Sequence, residues 1–110
     1  MMDLSIRKIA EACGGKLVLQ GGRADGDICV SSVVIDSRLV KPQGVFIATV
    51  GERVDGHRFI PGAFAQGAVL AVTQKDPEQV EAEHGCRTSE WGSYVLVEDT
   101  LQALKDIAEA

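Results

Sequence analysis

The sequence predicts an α/β fold in which helices flank a small mixed β-sheet. Runs of β-branched and apolar residues, such as residues 45–50 and 69–73, alternate with segments whose apolar residues recur at helical spacing. This alternation is typical of α/β modules. The chain has 110 residues, of which 45% are hydrophobic and 25% are charged. That size and composition fit one globular domain and exclude the disordered, collagen-like and disulfide-dominated classes.

The chain opens with a predicted helix over residues 6–13. Ser5 is a residue type that caps helix N-termini, Gly14 is one that ends helices, and apolar residues recur at three- and four-residue steps between them. A short strand is predicted over residues 16–19. The polar, glycine-rich stretch 20–27 then favours turns, so we expect a hairpin or an excursion there.

The middle of the chain alternates between strand and helix. A β-branched stretch, residues 28–35, predicts a strand that ends just before Asp36. The turn-forming sequence 41–44 leads into the apolar run 45–50, which predicts a central strand covered on both faces. Residues 59–66 predict a helix, because a proline stands in its first turn and a glycine follows its end.

The last third is predicted to hold two strands and two helices. The strands are residues 69–73 and 94–97, and a short helix over residues 76–83 lies between them. Thr100 is predicted to cap the final helix. That helix is expected to present one apolar face, formed by Leu101, Leu104 and Ala108.

The final helix ends without a glycine, and its last turn carries Asp106 and Glu109. Acidic residues there oppose the helix dipole. We therefore expect residues 1–110 to be one domain cut from a longer protein.

The net charge of −5 is unevenly distributed. Residues 1–73 carry eight Lys or Arg against seven Asp or Glu, whereas residues 74–110 carry three against nine, which gives +1 and −6. This acidic balance argues against nucleic acid as a partner. The sequence contains neither an apolar run of membrane-spanning length nor a signal peptide at its start, so we expect no membrane insertion and a cytoplasmic location.

Cysteine and histidine are sparse. The cysteines, Cys13, Cys29 and Cys86, are odd in number and widely spaced, which argues against a disulfide framework or a zinc site and indicates buried small hydrophobes. No histidine or carboxylate pair has metal-ligand spacing, so no metal site is predicted. Neither His57 nor His84 belongs to a recognisable nucleophile–base set, so no catalytic residue is predicted, and His84 is expected at the surface.

Two polar clusters stand at predicted strand ends, at residues 36–38 and 51–57. In open α/β sheets ligands bind outside the carboxyl ends of strands, so the clusters form a site if those ends point the same way. Their basic and glycine residues suit a phosphorylated ligand. The alternative is that both clusters are ordinary turns. The nearest approach to a phosphate loop, residues 15–17, lacks the required hydroxyl residue, so ATP binding is not predicted within this chain.

Four linked motifs resemble the N-terminal domain of the Mur ligase family. They are Asp-Ser-Arg at 36–38, Pro-x-Gly-Val-Phe-Ile-Ala at 42–48, Gly-Glu-Arg-x-Asp-Gly-His-x-Phe at 51–59 and Ala-x3-Gly-Ala at 63–68. Their order and spacing match throughout. The resemblance covers nearly the whole chain and is weakest over residues 74–92.

The resemblance implies that this domain holds the UDP part of a UDP-linked muramyl peptide. It implies that ATP and Mg²⁺ serve the full-length ligase through a central domain and a C-terminal domain that lie outside these residues. The chain alone is then expected to be inactive and to hold no cofactor. The implied substrate-binding residues are Ile35, Ser37, Arg38, Gly51, Glu52, Arg53, Val54, Asp55, Gly56 and His57.

Within the family, the form of the motif at 51–57 and the segments 4–15 and 97–100 are most similar to the member that adds D-alanyl-D-alanine to UDP-N-acetylmuramoyl-tripeptide. The implied role lies in peptidoglycan precursor synthesis. The member that adds the third peptide residue is the nearest alternative. A free-standing nucleotide-binding or regulatory module and a purely structural interaction domain stay open as well.

Overall fold

The computed structural model describes residues 5–20, 26–51, 55–85 and 87–109. Within these ranges the chain forms four α-helices and five β-strands. In chain order they are α1 (Ile6–Cys13), β1 (Lys16–Val18), β2 (Val33–Val34), β3 (Val45–Ile47), α2 (Ile60–Ala65), β4 (Leu70–Thr73), α3 (Pro77–His84), β5 (Tyr94–Leu96) and α4 (Thr100–Glu109). Three 3-10 turns cover Ser37–Leu39, Gly56–Phe59 and Thr88–Glu90.

The strands form one mixed sheet in the order β1-β5-β4-β3-β2. β2, β3, β4 and β5 run parallel, and β1 pairs antiparallel with β5. The predicted α/β class with a small mixed sheet is therefore confirmed. β1 and β2 lie at opposite edges of this sheet, so of the two expected connections, a hairpin or an excursion, the structure rules out a hairpin between these strands.

Helices cover both faces of the sheet. Alternate side chains of β3 point to opposite faces, as the pleat requires. Val45 and Ile47 pack in one core with the buried residues of α1 and α4. Phe46 packs in a second core with Ile60 and Ala63 of α2 and Val80 of α3. All three residues of β3 are buried, which confirms the prediction of a strand covered on both faces.

The predicted start and end of the first helix are confirmed. The Ser5 hydroxyl accepts a hydrogen bond from the Lys8 backbone N–H at 3.2 Å, and Gly14 ends the helix in the left-handed conformation at φ 67°. The side chain of Asp76 caps α3 in the same way, accepting from the Gln79 N–H at 2.8 Å. Among the described residues, none of the helices combines the length and apolar character that crossing a bilayer requires.

Two predictions about the final helix are wrong. Asp99, not Thr100, caps α4. Its Oδ1 accepts hydrogen bonds from the backbone N–H groups of Leu101 and Gln102, at 2.9 and 3.2 Å. Thr100 is instead buried and bonds to Gln74. This fixes the rotation of the helix, so its buried face is formed by Thr100, Ala103 and Ile107. Leu101 is 57% exposed, and Leu104 is only partly buried.

The interpretation of the cysteines as buried hydrophobes is also wrong in part. Cys29 is exposed; it lies at an isolated antiparallel bridge to Ser5, between the partly buried Ile28 and the buried Val30. Cys13 is half-buried, and its burial, together with the nearby charge of Asp106, raises the pKa of its thiol to about 11. Cys86 lies outside the described residues.

Gly15 provides a test of packing between α1 and the sheet. A methyl group on Gly15 would lie 2.5 Å from Cγ1 of Val95 and 2.8 Å from the Leu96 carbonyl oxygen. We expect Gly15→Ala to lower the free energy of unfolding by about 1–3 kcal/mol, as overpacking does, measured by urea denaturation. Gly62→Ala is the control, since a methyl there meets no atom within 4 Å and the helix gains up to about 1 kcal/mol. Equal stability of the two variants would contradict the packing described.

Candidate functional site

The two predicted polar clusters meet at the carboxyl edge of the sheet. Because β2 and β3 are parallel, the residues that follow them emerge side by side. They enclose an open cleft of about 530 Å³. Its walls are formed by Ile35, Asp36, Ser37, Arg38, Phe46, Thr49, Gly51, Gly56 and Phe59. The condition on which the predicted site depended, that both strand ends point the same way, is therefore met.

The first wall of the cleft is the 3-10 turn after β2. The Asp36 carboxylate accepts a hydrogen bond from the Arg38 backbone N–H at 2.9 Å. It also accepts two from the Arg38 guanidinium, from Nε at 3.1 Å and from Nη2 at 2.8 Å. These hydrogen bonds lower the pKa of Asp36 to about 2. The backbone carbonyl of Ser37 accepts from Gln66 at 2.7 Å, which fixes the turn against α2. Within the described part of the chain, the Ser37 hydroxyl has no hydrogen-bond partner.

Apolar groups are exposed beside these polar ones. Ile35 is 54% exposed and Phe59 is 41% exposed, whereas Phe46 closes the cleft from within the sheet. The guanidinium of Arg58 lies 5.4 Å from the centre of the Phe59 ring. The cleft thus combines an apolar surface that suits a planar ring with polar donors that suit an anionic group.

The described part of the second wall is formed by Thr49, Gly51 and Gly56. These residues lie at or beside the two ends of the β3 loop, which we define as residues 50–55. An antiparallel bridge between Val50 and Asp55 closes its base, and the Gly56 N–H donates to the Thr49 carbonyl at 2.8 Å. A Cβ atom on Gly56 would lie 2.6 Å from that carbonyl oxygen, so the position requires glycine. The predicted ligand contacts Glu52, Arg53 and Val54, in the middle of this loop, lie outside the described residues.

His57 follows the β3 loop and is completely buried. Its Nε2 lies 3.0 Å from the backbone N–H of Gln74 and must accept that proton, so the ring proton resides on Nδ1. Nδ1–H then donates to Oδ1 of Asp55 at 2.6 Å. Burial lowers the pKa of the imidazole, although the Asp55 carboxylate opposes this effect. His57 is therefore neutral and held by two partners.

Asp55 is the centre of an ion-pair cluster behind the cleft. Its Oδ2 accepts from Lys75 Nζ at 2.6 Å and lies 3.1 Å from His84 Nε2. Lys75 also contacts Glu83 at 2.5 Å. Burial alone would raise the pKa of Asp55, but the hydrogen bonds from Lys75, from the His57 backbone and from the two imidazoles outweigh it and hold the pKa well below its usual value.

Asp55, Glu83 and His84 each offer an atom with metal-ligand chemistry, and these atoms lie within 4.8 Å of one another. Sequence spacing did not reveal this group, because 28 residues separate Asp55 from Glu83. The ammonium of Lys75 already places a positive charge between the two carboxylates. We therefore interpret the group as an ion-pair cluster and not as a cation site.

The ten predicted site residues separate into three sets. Five of them line the cleft, namely Ile35, Ser37, Arg38, Gly51 and Gly56. Asp55 and His57 lie behind it, with their side chains bonded to each other, so ligand contact by those side chains stays a prediction. The remaining three are in the undescribed part of the β3 loop. Sequence reasoning missed Lys75. The expectation that His84 lies at the surface is confirmed, but no motif connects either residue to Asp55.

The buried neutral imidazole predicts a pH dependence of stability. Since the pKa of His57 is lower in the folded state than the ordinary 6.5, the unfolded chain binds a proton that the folded chain does not. The contribution of His57 to the free energy of unfolding is then fully present above about pH 6.5. It is lost on acidification, by at most about 1.4 kcal/mol per pH unit. Urea denaturation between pH 7.5 and 5 measures this slope.

We expect His57→Gln to reduce that slope, whereas the control His84→Gln retains it. The loss of stability from Asp55, whose pKa is also lowered, begins at a separate and more acidic range, below about pH 4. An unchanged slope in His57→Gln would show that His57 is not the group responsible.

Comparison with known proteins shows which family the sequence and the fold of this chain resemble. A family model described as "Mur ligase family, catalytic domain" matches residues 30–110. The UDP-N-acetylmuramoyl-tripeptide–D-alanyl-D-alanine ligase of Treponema pallidum is 36% identical over 108 residues, which cover 97% of this chain and 23% of that protein. The enzyme of the same name from Bacillus subtilis is 28% identical over 110 residues, 100% of this chain and 22% of that protein.

A second kind of relative is the UDP-N-acetylmuramoyl-L-alanyl-D-glutamate–2,6-diaminopimelate ligase of Bacteroides thetaiotaomicron, 34% identical over 84 residues, with coverage of 76% and 16%. In structure, the chain is similar to a crystal structure of MurF from Acinetobacter baumannii, with a TM-score of 0.70 and 21% identity over 94% of this chain and 20% of that one. The fold is therefore shared. The chain spans about a fifth of the length of the curated relatives matched first.

Proposed function

The chain belongs to the Mur ligase family, and from that premise we propose that it binds the UDP part of a UDP-N-acetylmuramoyl peptide as the N-terminal domain of a longer amide ligase. One observation carries this proposal: the cleft at the carboxyl edge joins the Asp-Ser-Arg turn to the β3 loop. The two segments are 13 residues apart in sequence, between Arg38 and Gly51, and come together only through the parallel pairing of β2 and β3.

The chemistry of the cleft suits a uridine diphosphate. Ile35 and Phe59 offer apolar surface to a planar base, and the Ser37 hydroxyl offers a donor. The guanidinium of Arg38 is held in place by Asp36 while its side chain stays 86% exposed. It can therefore present its remaining N–H groups to a phosphate without losing Asp36. Glu52, Arg53 and Val54 complete the proposed contacts from the β3 loop.

For the whole ligase we propose the reaction that adds D-alanyl-D-alanine to UDP-N-acetylmuramoyl-tripeptide, in the cytoplasm. Relatives with that name match nearly the whole chain. The second candidate is addition of the third peptide residue, since relatives named as 2,6-diaminopimelate ligases match as well. The Glu-Arg pair at 52–53 and the start of the chain favour the first candidate.

The described residues do not fit an ATP–Mg²⁺ site. Their carboxylate–histidine group is bridged by Lys75, and the sequence lacks a phosphate loop. We therefore assign ATP and Mg²⁺ to the rest of the longer ligase and expect the chain alone to be inactive. Its part in the reaction is positional, because binding energy from the remote UDP group can orient the reacting end of the substrate.

UDP binding by the chain tests the proposal. Ser37→Ala removes a donor to a charged acceptor, so we expect UDP affinity to fall by about 1–2 kcal/mol, or about five- to thirtyfold, in a calorimetric or NMR titration. Ser31→Ala is the matched control, because its hydroxyl is exposed and bonds to the Pro42 carbonyl instead. An unchanged affinity in Ser37→Ala would remove Ser37 from the site. A wild-type chain that does not bind UDP at millimolar concentration would favour a structural role.

An activity assay on the longer protein distinguishes the two candidate ligase reactions. Incubation with ATP, Mg²⁺ and the UDP-linked peptides should give an amide product with D-alanyl-D-alanine. Product formation with 2,6-diaminopimelate alone would instead establish the second candidate.

A further inference from the structure

We infer that Gln66 is a positioning residue for the proposed UDP site: its side-chain amide holds the 3-10 turn after β2 in the place from which Ser37 and Arg38 meet the ligand. The inference rests on the proposed function, because it concerns the same cleft. Gln66 itself does not line that cleft, so its effect on the ligand must pass through the turn.

The turn has little apolar packing of its own. Before it, Val34 pairs with β3, and after it, Val40 is buried in the second core. None of the residues between these two is buried, and Ile35 and Leu39 are 54% and 61% exposed. Strand pairing and side-chain burial therefore fix the two ends of this segment, and the place of the turn between them depends on hydrogen bonds.

The hydrogen bonds of the turn are of two kinds. The Asp36 carboxylate bonds to Arg38, and the Asp36 carbonyl accepts from the Leu39 N–H at 2.9 Å. Both of these contacts lie within the segment, so they fix its shape. The bond from Nε2 of Gln66 to the Ser37 carbonyl, at 2.7 Å, spans 29 residues of sequence and joins the turn to the end of α2. This bond therefore fixes where the turn lies.

The backbone of Gln66 is itself held in place. Gln66 directly follows α2, and its N–H donates to the Ala63 carbonyl at 3.1 Å. The carbonyl of the next residue, Gly67, accepts from the Gln43 N–H at 2.9 Å. A Cβ atom on Gly67 would lie 3.0 Å from Cα of Pro42, so the two backbones are in close contact. The side chain of Gln66 therefore extends toward the turn from a point that α2 and the segment before β3 both fix.

A ligand that needs the turn in place binds less tightly when the turn spends time elsewhere. The measured dissociation constant then rises in inverse proportion to the fraction of molecules in which the turn is in place. The net contribution of one hydrogen bond corresponds to a factor of about two to ten, which limits the size of this effect. The amide of Gln66 is neutral, so the effect is separate from the attraction between Arg38 and an anionic ligand.

The test replaces Gln66 in the 110-residue chain and measures UDP binding by NMR titration. Gln66→Met keeps the length and the neutral charge of the side chain but removes the donor. We expect the dissociation constant to rise about two- to tenfold. Gln66→Ala removes the same donor and should show the same loss. Gln102→Met is the matched control, because Gln102 is also exposed and its Nε2 bonds within its own helix, to Asp106 at 3.1 Å.

The same titration distinguishes positioning from a general structural effect. We expect the amide shifts of residues 36–40 to differ between Gln66→Met and the wild type in the free chain, and the difference to shrink on saturation with UDP, because the ligand restores the turn. Ile9→Val lowers stability through the core formed with α1 and α4 and should bind UDP like the wild type. A shift difference that persists unchanged at saturation, or an equal loss of affinity in Ile9→Val or Gln102→Met, overturns the inference.

The affinities also separate the inference from the proposed function. If the wild type binds UDP and both Gln66 variants bind it equally well, the inference is overturned and the proposed function stands. If the wild type does not bind UDP at millimolar concentration, the proposed function is overturned and the inference with it.

Discussion

Parallel pairing of four strands is the constraint on which the rest of this structure depends. It brings the carboxyl ends of β2, β3, β4 and β5 to one edge of the sheet. The turn after β2 and the loop after β3 then form a cleft, while residues after β3, β4 and β5 form a chain of hydrogen bonds. The cleft and the interactions that support it are therefore two consequences of the same topology.

Buried polar groups are tolerated at this edge because each of them has a partner. His57, Thr73 and Thr100 are all fully buried, where an unpaired polar group would cost more than a hydrogen bond gains. His57 bonds to Asp55 and Gln74, Thr73 donates to the Lys75 carbonyl at 2.7 Å, and Thr100 bonds to Gln74. The strand ends are thereby fixed to one another by directional contacts, which apolar packing alone does not provide.

The sequence predicts those parts of the fold that depend on local chemistry. Every predicted strand and helix is present, because periodicity, caps and glycine stops act over short distances. Most of their ends lie within three residues of the prediction, but the strand predicted over residues 28–35 covers only Val33–Val34. It could not predict contacts that depend on strand register. His57 meets the Gln74 backbone 17 residues away, and Asp55 meets Lys75 and His84 after 20 and 29 residues. The error at Thr100 has the same origin, since that hydroxyl serves a long-range bond and leaves the cap to Asp99.

The sequence Asp55-Gly56-His57 shows how a motif associated with a ligand can act through the backbone. Asp55 caps the following 3-10 turn and receives Lys75, Gly56 allows the close approach to Thr49, and the His57 ring reaches β4. Each residue type is required by a contact within the protein, and the side chains of Asp55 and His57 do not line the cleft. Under the proposed function, recognition then falls to the turn after β2 and the middle of the β3 loop. The motif fixes the base of the β3 loop, where Asp55 bridges Val50. Under the proposed function, fixing that base during folding lowers the ordering cost that ligand binding has to meet.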